Sequence, residues 1–136
     1  MPHFVIEYSA NLDAELDPAL LMARLSDAAV ATGIFPLAGI RLRCHRAADY
    51  RVADGHPDNA FLHVMVRIGH GRDLETRERA GQIIFAALCE HMAPIQARRP
   101  LALSMEIVEL HPDLNFKTGN IREHMKRRET PPVAAS

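Results

Sequence analysis

The 136-residue chain has no tryptophan, and aromatic residues make up only 5% of it. A surface that stacks nucleobases would have little to work with. Charge of either sign is not in excess. Sixteen Lys and Arg stand against 17 Asp and Glu, a formal −1 with neutral histidines. No global field therefore steers the protein toward nucleic acid or an anionic membrane. The CxxC pattern is missing, since Cys44 and Cys89 are far apart; they read as reduced, half-buried small hydrophobes. No apolar run approaches the roughly 18 residues of a membrane span. The start, Met-Pro-His-Phe-Val-Ile-Glu, lacks the basic and apolar regions of a secretory signal. The expectation is a soluble, cytoplasmic protein with no nucleic-acid or membrane partner.

Metal and cofactor motifs are missing as well. None of the eight histidines pairs at the i,i+4 spacing of HExxH, and no Cys/His quartet appears. His56, His63 and His70 recur at every seventh position, which turns successive members to opposite faces of a strand. Neither GxxxxGK[ST] nor GxGxxG occurs, and Ser9 and Ser104 lack a nucleophile elbow. No metal and no cofactor are expected.

What is present is apolar content of 48%, enough to give one domain a core. Pro2–Tyr8 reads as a strand. Asp17-Pro18 opens a helix, with Asp17 as N-cap and Pro18 at the first helical position. Leu21, Leu25, Ala28 and Ala29 form its apolar stripe, and Gly33 stops it. A second strand follows at about Gly39–Tyr50. The second half repeats this order. Phe61–Ile68 reads as a strand, about Asp73–Met92 as a helix with Asp73 as N-cap, and Leu101–Glu109 as another strand. Ala80, Ile83, Ile84, Ala87 and Leu88 supply the second helix's stripe, and Glu75 with Arg79 forms an i,i+4 pair.

Strand–helix–strand, twice, predicts an α/β fold of two βαβ units with parallel strands in each. The four strands form one sheet with two helices on one face. The other face is expected to be apolar and to need a partner, so association is expected. The domain spans 1–125, with units at about 2–50 and 61–110. Residues 126–136 form a tail, basic at Lys126-Arg127-Arg128 and then rich in Pro and Ala.

Three features could carry chemistry. Pro2 becomes a secondary amine at the terminus if Met1 is removed. An α-amino group titrates nearer neutrality than lysine, and burial or nearby cations lower its pKa further, which suits a general base. The plain alternative is a proline tolerated at the start of a strand. In the second strand Arg41, Arg43 and His45 share one face. Arginines there could grip a carboxylate with paired hydrogen bonds, or simply guard a solvated edge. Gly69-His70-Gly71-Arg72-Asp73 sits at a strand-to-helix junction, where backbone N–H groups and Arg72 could hold an anion. It could equally be a tight turn with a helix cap.

With these residues in view, the chain resembles the 5-carboxymethyl-2-hydroxymuconate isomerase family of the tautomerase superfamily. The matching segments are Pro2-His3-Phe4, the block from Ala31 through Gly39-Ile40-Arg41, Ala53-Asp54-Gly55, Gly71-Arg72 with Leu74-Glu75 and Arg77, Leu101–Ser104, Glu109–Pro112, and Leu114-Asn115-Phe116-Lys117. The resemblance runs from Pro2 to about Met125. It implies a tautomerase-like fold assembled as a homotrimer. It also implies a cofactor-free shift of a proton on a small di- or tricarboxylate enol, in the breakdown of homoprotocatechuate. The amino-terminal proline, Pro2, would be the base, and Arg41 and Arg72 would be carboxylate ligands. Arg43 is a further candidate from the strand face alone. A tautomerase of another enol, or a non-catalytic trimeric small-molecule carrier, are the competing expectations.

Overall fold

Two capped helices and four strands follow from local chemistry. The Asp17 carboxylate accepts the Leu20 N–H and Pro18 fills the first turn, so α1 runs Pro18–Ala31. Gly33, at φ +78, takes the left-handed conformation that ends it. The Asp73 carboxylate accepts the Thr76 N–H at 2.8 Å and opens α2, Leu74–Gln96. The strands are β1 (His3–Ser9), β2 (Arg41–Ala47), β3 (Ala60–Ile68) and β4 (Leu101–Glu109), with a third helix α3 at Ile121–Glu129. Together they come from a computed structural model that describes residues 1–129.

The sheet order is β2-β1-β3-β4. β1 pairs parallel with β2, and β3 parallel with β4, as two βαβ units require. The units join antiparallel, His3 opposite Arg67. One end of the sheet therefore gathers the starts of β1 and β2 with the finishes of β3 and β4.

Period-two alternation divides the faces. Phe4, Ile6, Leu62, Val64, Val66 and Ile68 are fully buried under Leu21, Leu25, Ile84, Leu88 and Met92 of the two helices. Each such side chain contributes roughly 1.5–3 kcal/mol of hydrophobic stabilisation. The opposite face corrects one expectation, because it is not a continuous apolar surface. Across its rows lie Arg41, His3, Arg67 and Val108, then Arg43, Val5, Met65 and Glu106, then His45, Glu7, His63 and Ser104. The same alternation that puts Leu42 and Cys44 toward the helices turns arginine and histidine outward.

Boundaries also shift for physical reasons. β2 is shorter than expected because its one neighbour, β1, ends opposite Ala47, and because Leu37–Gly39 close a single 3-10 turn. α2 runs past Met92 through Pro94. Proline forfeits one backbone bond, but buried Ile95 keeps the last turn packed. On α2, Ile83 sits partly exposed at the stripe's margin, and Arg77 pairs with Glu109 at 3.1 Å where a Glu75–Arg79 pair was expected. Lys126-Arg127-Arg128 belongs to α3, where cations in the last turn complement the helix dipole. No residue of α3 is buried, so no apolar periodicity marked it. Thr130–Ser136, the rest of the expected tail, lies outside the described residues.

Candidate active site

The Arg41 N–H donates to the Pro2 carbonyl at 3.0 Å, extending the β1–β2 ladder by one step. Pro2 is thereby held, buried, at the end of the sheet. Met1 next to it lies over Gly39. A Cβ at position 39 would lie 3.4 Å from Met1 Cγ and 3.5 Å from Met1 Cα, an ordinary contact distance.

Two cavities open here. One, about 410 Å³, lies between Met1, Pro36, Gly39, Arg41, Lys117 and Arg122. The other, about 260 Å³, lies between Met1, His3, Arg41, Leu110, Phe116 and Lys117. Met1, Arg41, Lys117 and Thr118 are walls of both. Removing Met1 would take away a shared wall and leave the Pro2 nitrogen at the junction.

The electrostatics of this corner are cationic. The amino group of Met1 is held below the ordinary α-amino value, first by burial, then by Lys117, Arg72 and Arg41. His3 is also pushed down, first by burial, then by Arg43 and Arg41. Burial, the first cause of both shifts, disfavours any charge, while the arginines and Lys117 behind it disfavour a further positive charge and favour an anion.

Each arginine expected at the site has a distinct setting. Arg41 uses Nη1 to donate to the Gly39 carbonyl at 2.8 Å, which aims the guanidinium along the cavity wall. Arg72 uses Nη2 to donate to the Ile34 carbonyl at 2.9 Å and lies 5.1 Å from the Phe35 ring centroid. It lines neither cavity, yet its charge reaches the amino terminus. Arg43 sits one pleat further along β2, donates to His3 Nδ1 at 3.2 Å and lines neither cavity. In the Gly69–Asp73 junction the Gly71 N–H already donates to Glu109 at 3.2 Å, while Asp73 caps α2. The turn-and-cap reading describes that loop, and its contribution to the site is Arg72.

Lys117 was not singled out as a site residue, although it projects the largest cationic influence on the terminus. It lies beyond β4 in a segment without periodicity. Its sequence signals are its place in the Leu114–Lys117 segment of the resemblance and its scarcity: lysine occurs twice, against fourteen arginines. A larger cavity of about 620 Å³, between α2 and β4, holds none of these residues, and its cation Arg77 is already paired with Glu109. Among the described residues no cluster of three or more His, Cys, Asp or Glu could hold a metal, and no helix is long and apolar enough to cross a membrane.

Comparison with known proteins addresses the same chain from outside. A family model described as 5-carboxymethyl-2-hydroxymuconate isomerase matches residues 2–125. The chain is 47% identical over 126 residues to the 5-carboxymethyl-2-hydroxymuconate Delta-isomerase of Escherichia coli, covering 93% of this chain and 100% of that protein. The crystal structure of a 5-carboxymethyl-2-hydroxymuconate isomerase from Deinococcus radiodurans R1 superposes with a TM-score of 0.85 at 37% identity, over 91% of this chain and 93% of that one. At 21% identity and a TM-score of 0.59 the fold alone is shared with a fused 4-OT symmetric trimer, over 87% of this chain and 92% of that one. With a buried proline beside the first strand, cations around it and this extent of match, the chain belongs to the 5-carboxymethyl-2-hydroxymuconate isomerase family.

Proposed function

We propose that the protein isomerises 5-carboxymethyl-2-hydroxymuconate to its 2-oxo isomer, using the amine of Pro2 as the proton carrier after Met1 is removed. The observation that carries this reading is the amino terminus itself. Met1 stands between two cavities, and its amino group is held down first by burial and then by Lys117, Arg72 and Arg41, so an amine exposed at Pro2 would enter the same cationic corner. A neutral amine with a depressed pKa is a base near neutral pH, and the cations favour an anionic substrate.

The step balances without a cofactor. The amine takes the proton of the 2-hydroxyl. The oxygen electrons form C2=O, the diene electrons shift by one bond, and C5 receives the proton back from the ammonium. Arg41 holds the carboxylate beside the 2-oxygen, where its charge offsets the negative charge that develops there. Arg72 strengthens the same field from behind, and Arg43 acts by holding His3. One base serving both ends of the conjugated system gains from positioning as well as from proton transfer.

The place of the reaction is the cytoplasmic breakdown of homoprotocatechuate, and the working form is a homotrimer. Both edge strands of the sheet are unpaired, and Phe116, 86% exposed, and Leu114 stand clear of the chain's own core. An ultraviolet time-course with 5-carboxymethyl-2-hydroxymuconate tests the activity, with 4-oxalocrotonate and phenylpyruvate enols as comparisons. Turnover fastest with 5-carboxymethyl-2-hydroxymuconate is expected. No acceleration of any of the three would leave a binding protein and remove the enzyme. Sedimentation equilibrium tests the trimer, and a monomer at assay concentration would refute it.

A further inference from the structure

Lys117 differs from the other cations at the amino terminus. Arg41 and Arg72 each spend a guanidinium N–H on a backbone carbonyl of their own chain, which fixes their direction. Elsewhere arginines are paired with carboxylates: Arg46 with Asp13, Arg77 with Glu109, Arg99 with Glu15. The Lys117 ammonium has no hydrogen-bond or ion-pair partner among the described residues. It is nevertheless a wall of both cavities, and it arrives from beyond β4, whereas Arg41 arrives from the start of β2. The two cations therefore bracket the terminus from different parts of the chain, Arg41 from the start of β2 and Lys117 from the segment beyond β4.

Their chemistry differs as well. A guanidinium offers a planar fork that suits one carboxylate in one orientation, while an ammonium on a flexible stem is a point charge with three donors. The proposed substrate has three carboxylates, two on the muconate chain and one on the carboxymethyl branch. The conjugated chain must lie in a fixed orientation for proton transfer, a task for the forks. The branch rotates about a single bond and carries its charge off the conjugated plane, a task for a mobile point charge.

We infer that Lys117 is a specificity-determining residue that binds the carboxymethyl carboxylate and so selects tricarboxylate over dicarboxylate enols. This rests on the isomerase reading and adds the assignment of the branch. Lys117 is exposed, so its replacement leaves the core intact.

The test compares 5-carboxymethyl-2-hydroxymuconate with 2-hydroxymuconate, which has the same conjugated enol and no branch. Lys117→Met should lower kcat/KM at least tenfold for the first, mainly through KM, and less than threefold for the second. Lys117→Arg should restore most of the loss. Any effect of Lys117 on the amine's protonation acts on both substrates alike and cancels in their ratio. An equal loss on both substrates, or no loss on either, overturns the assignment while leaving the isomerase reading intact. If the unmodified enzyme turns over neither substrate, the isomerase reading fails. Calorimetric titration with propane-1,2,3-tricarboxylate and with glutarate then decides the Lys117 assignment separately. It stands if Lys117→Met abolishes a preference for the tricarboxylate, and falls if no preference exists or the variant keeps it.

Discussion

The two ends of the sheet hold similar side chains in opposite conditions. At the end away from Pro2, Arg99 donates to the Asn11 carbonyl at 2.8 Å, to Glu15 at 2.9 Å and to the Asp58 carbonyl at 2.9 Å. Arg98 adds a second contact to Glu15, and Ser9 and Asn11 close the loop between β1 and β3. Arg99 Nε alone is left without a partner there. At the Pro2 end, Arg41 and Arg72 reach backbone carbonyls but no carboxylate, and Lys117 reaches neither. A cation with its own carboxylate is used up in holding the fold. A cation without one keeps its field for a ligand, and here it also lowers the basicity of the neighbouring amine.

That contrast can be broken most severely at Pro2. Pro2→Ala keeps a terminal amine but replaces the ring-held secondary amine by a freely rotating primary one, and the loss of that positioning should lower kcat/KM at least about 100-fold, with the thermal midpoint little changed. Activity within a few-fold of wild type would remove the proline base. Next come Arg41→Ala and Arg72→Ala. Loss of the charge-assisted contact from Arg41 is worth about 1.5–3 kcal/mol, so Arg41→Ala should cost more than tenfold in steady-state kcat/KM, and Arg72→Ala, which removes only a field acting from outside the cavities, should cost less. At the opposite end the pattern should invert. Arg99→Ala, whose side chain is 15% exposed, should cost about 2 kcal/mol in urea unfolding and leave kcat/KM unchanged. The smallest effect belongs to a helix cap remote from either end's chemistry, where Asp17→Ala should cost about 1 kcal/mol in the same measurement.

The pH dependence follows from the sign of the amine's shift. Burial and cations disfavour the ammonium at Met1, and an amine exposed at Pro2 enters the same corner, so its neutral form should appear at lower pH than in a free peptide that begins with proline. kcat/KM should therefore rise with pH through a midpoint below that of the free amine of a short peptide beginning Pro-His-Phe. Arg72→Ala removes one of the causes and should move that midpoint upward. A midpoint at or above that of the free peptide would mean that the terminus is not the titrating base.

Much of this was legible before any coordinates. Asp17-Pro18, Gly33 and Asp73 mark helix ends because caps and turns depend on a few residue types close in sequence. β4 was read to its end residues because its alternation is regular from Leu101 to Glu109. The antiparallel join of the two units was not legible, since it depends on pairing between distant strands. α3 escaped because its residues bury nothing. At the site, Pro2 and Arg41 stand out as an unusual start and an alternating strand. Lys117 does not, because it reaches the terminus through the path of an irregular segment beyond β4. The Gly69–Asp73 loop shows the converse. It reads as an anion site until Glu109, far along the chain, fills it.

The account turns on the identity of the amino-terminal residue. The most direct measurement is the isomerisation rate of 5-carboxymethyl-2-hydroxymuconate by two preparations sorted by intact mass, one beginning at Pro2 and one still carrying Met1. The chain beginning at Pro2 should be active, and the chain carrying Met1 slower by at least about 100-fold, because its Pro2 nitrogen is an amide and its only terminal amine is displaced by a residue whose side chain walls both cavities. Equal rates from the two would contradict it.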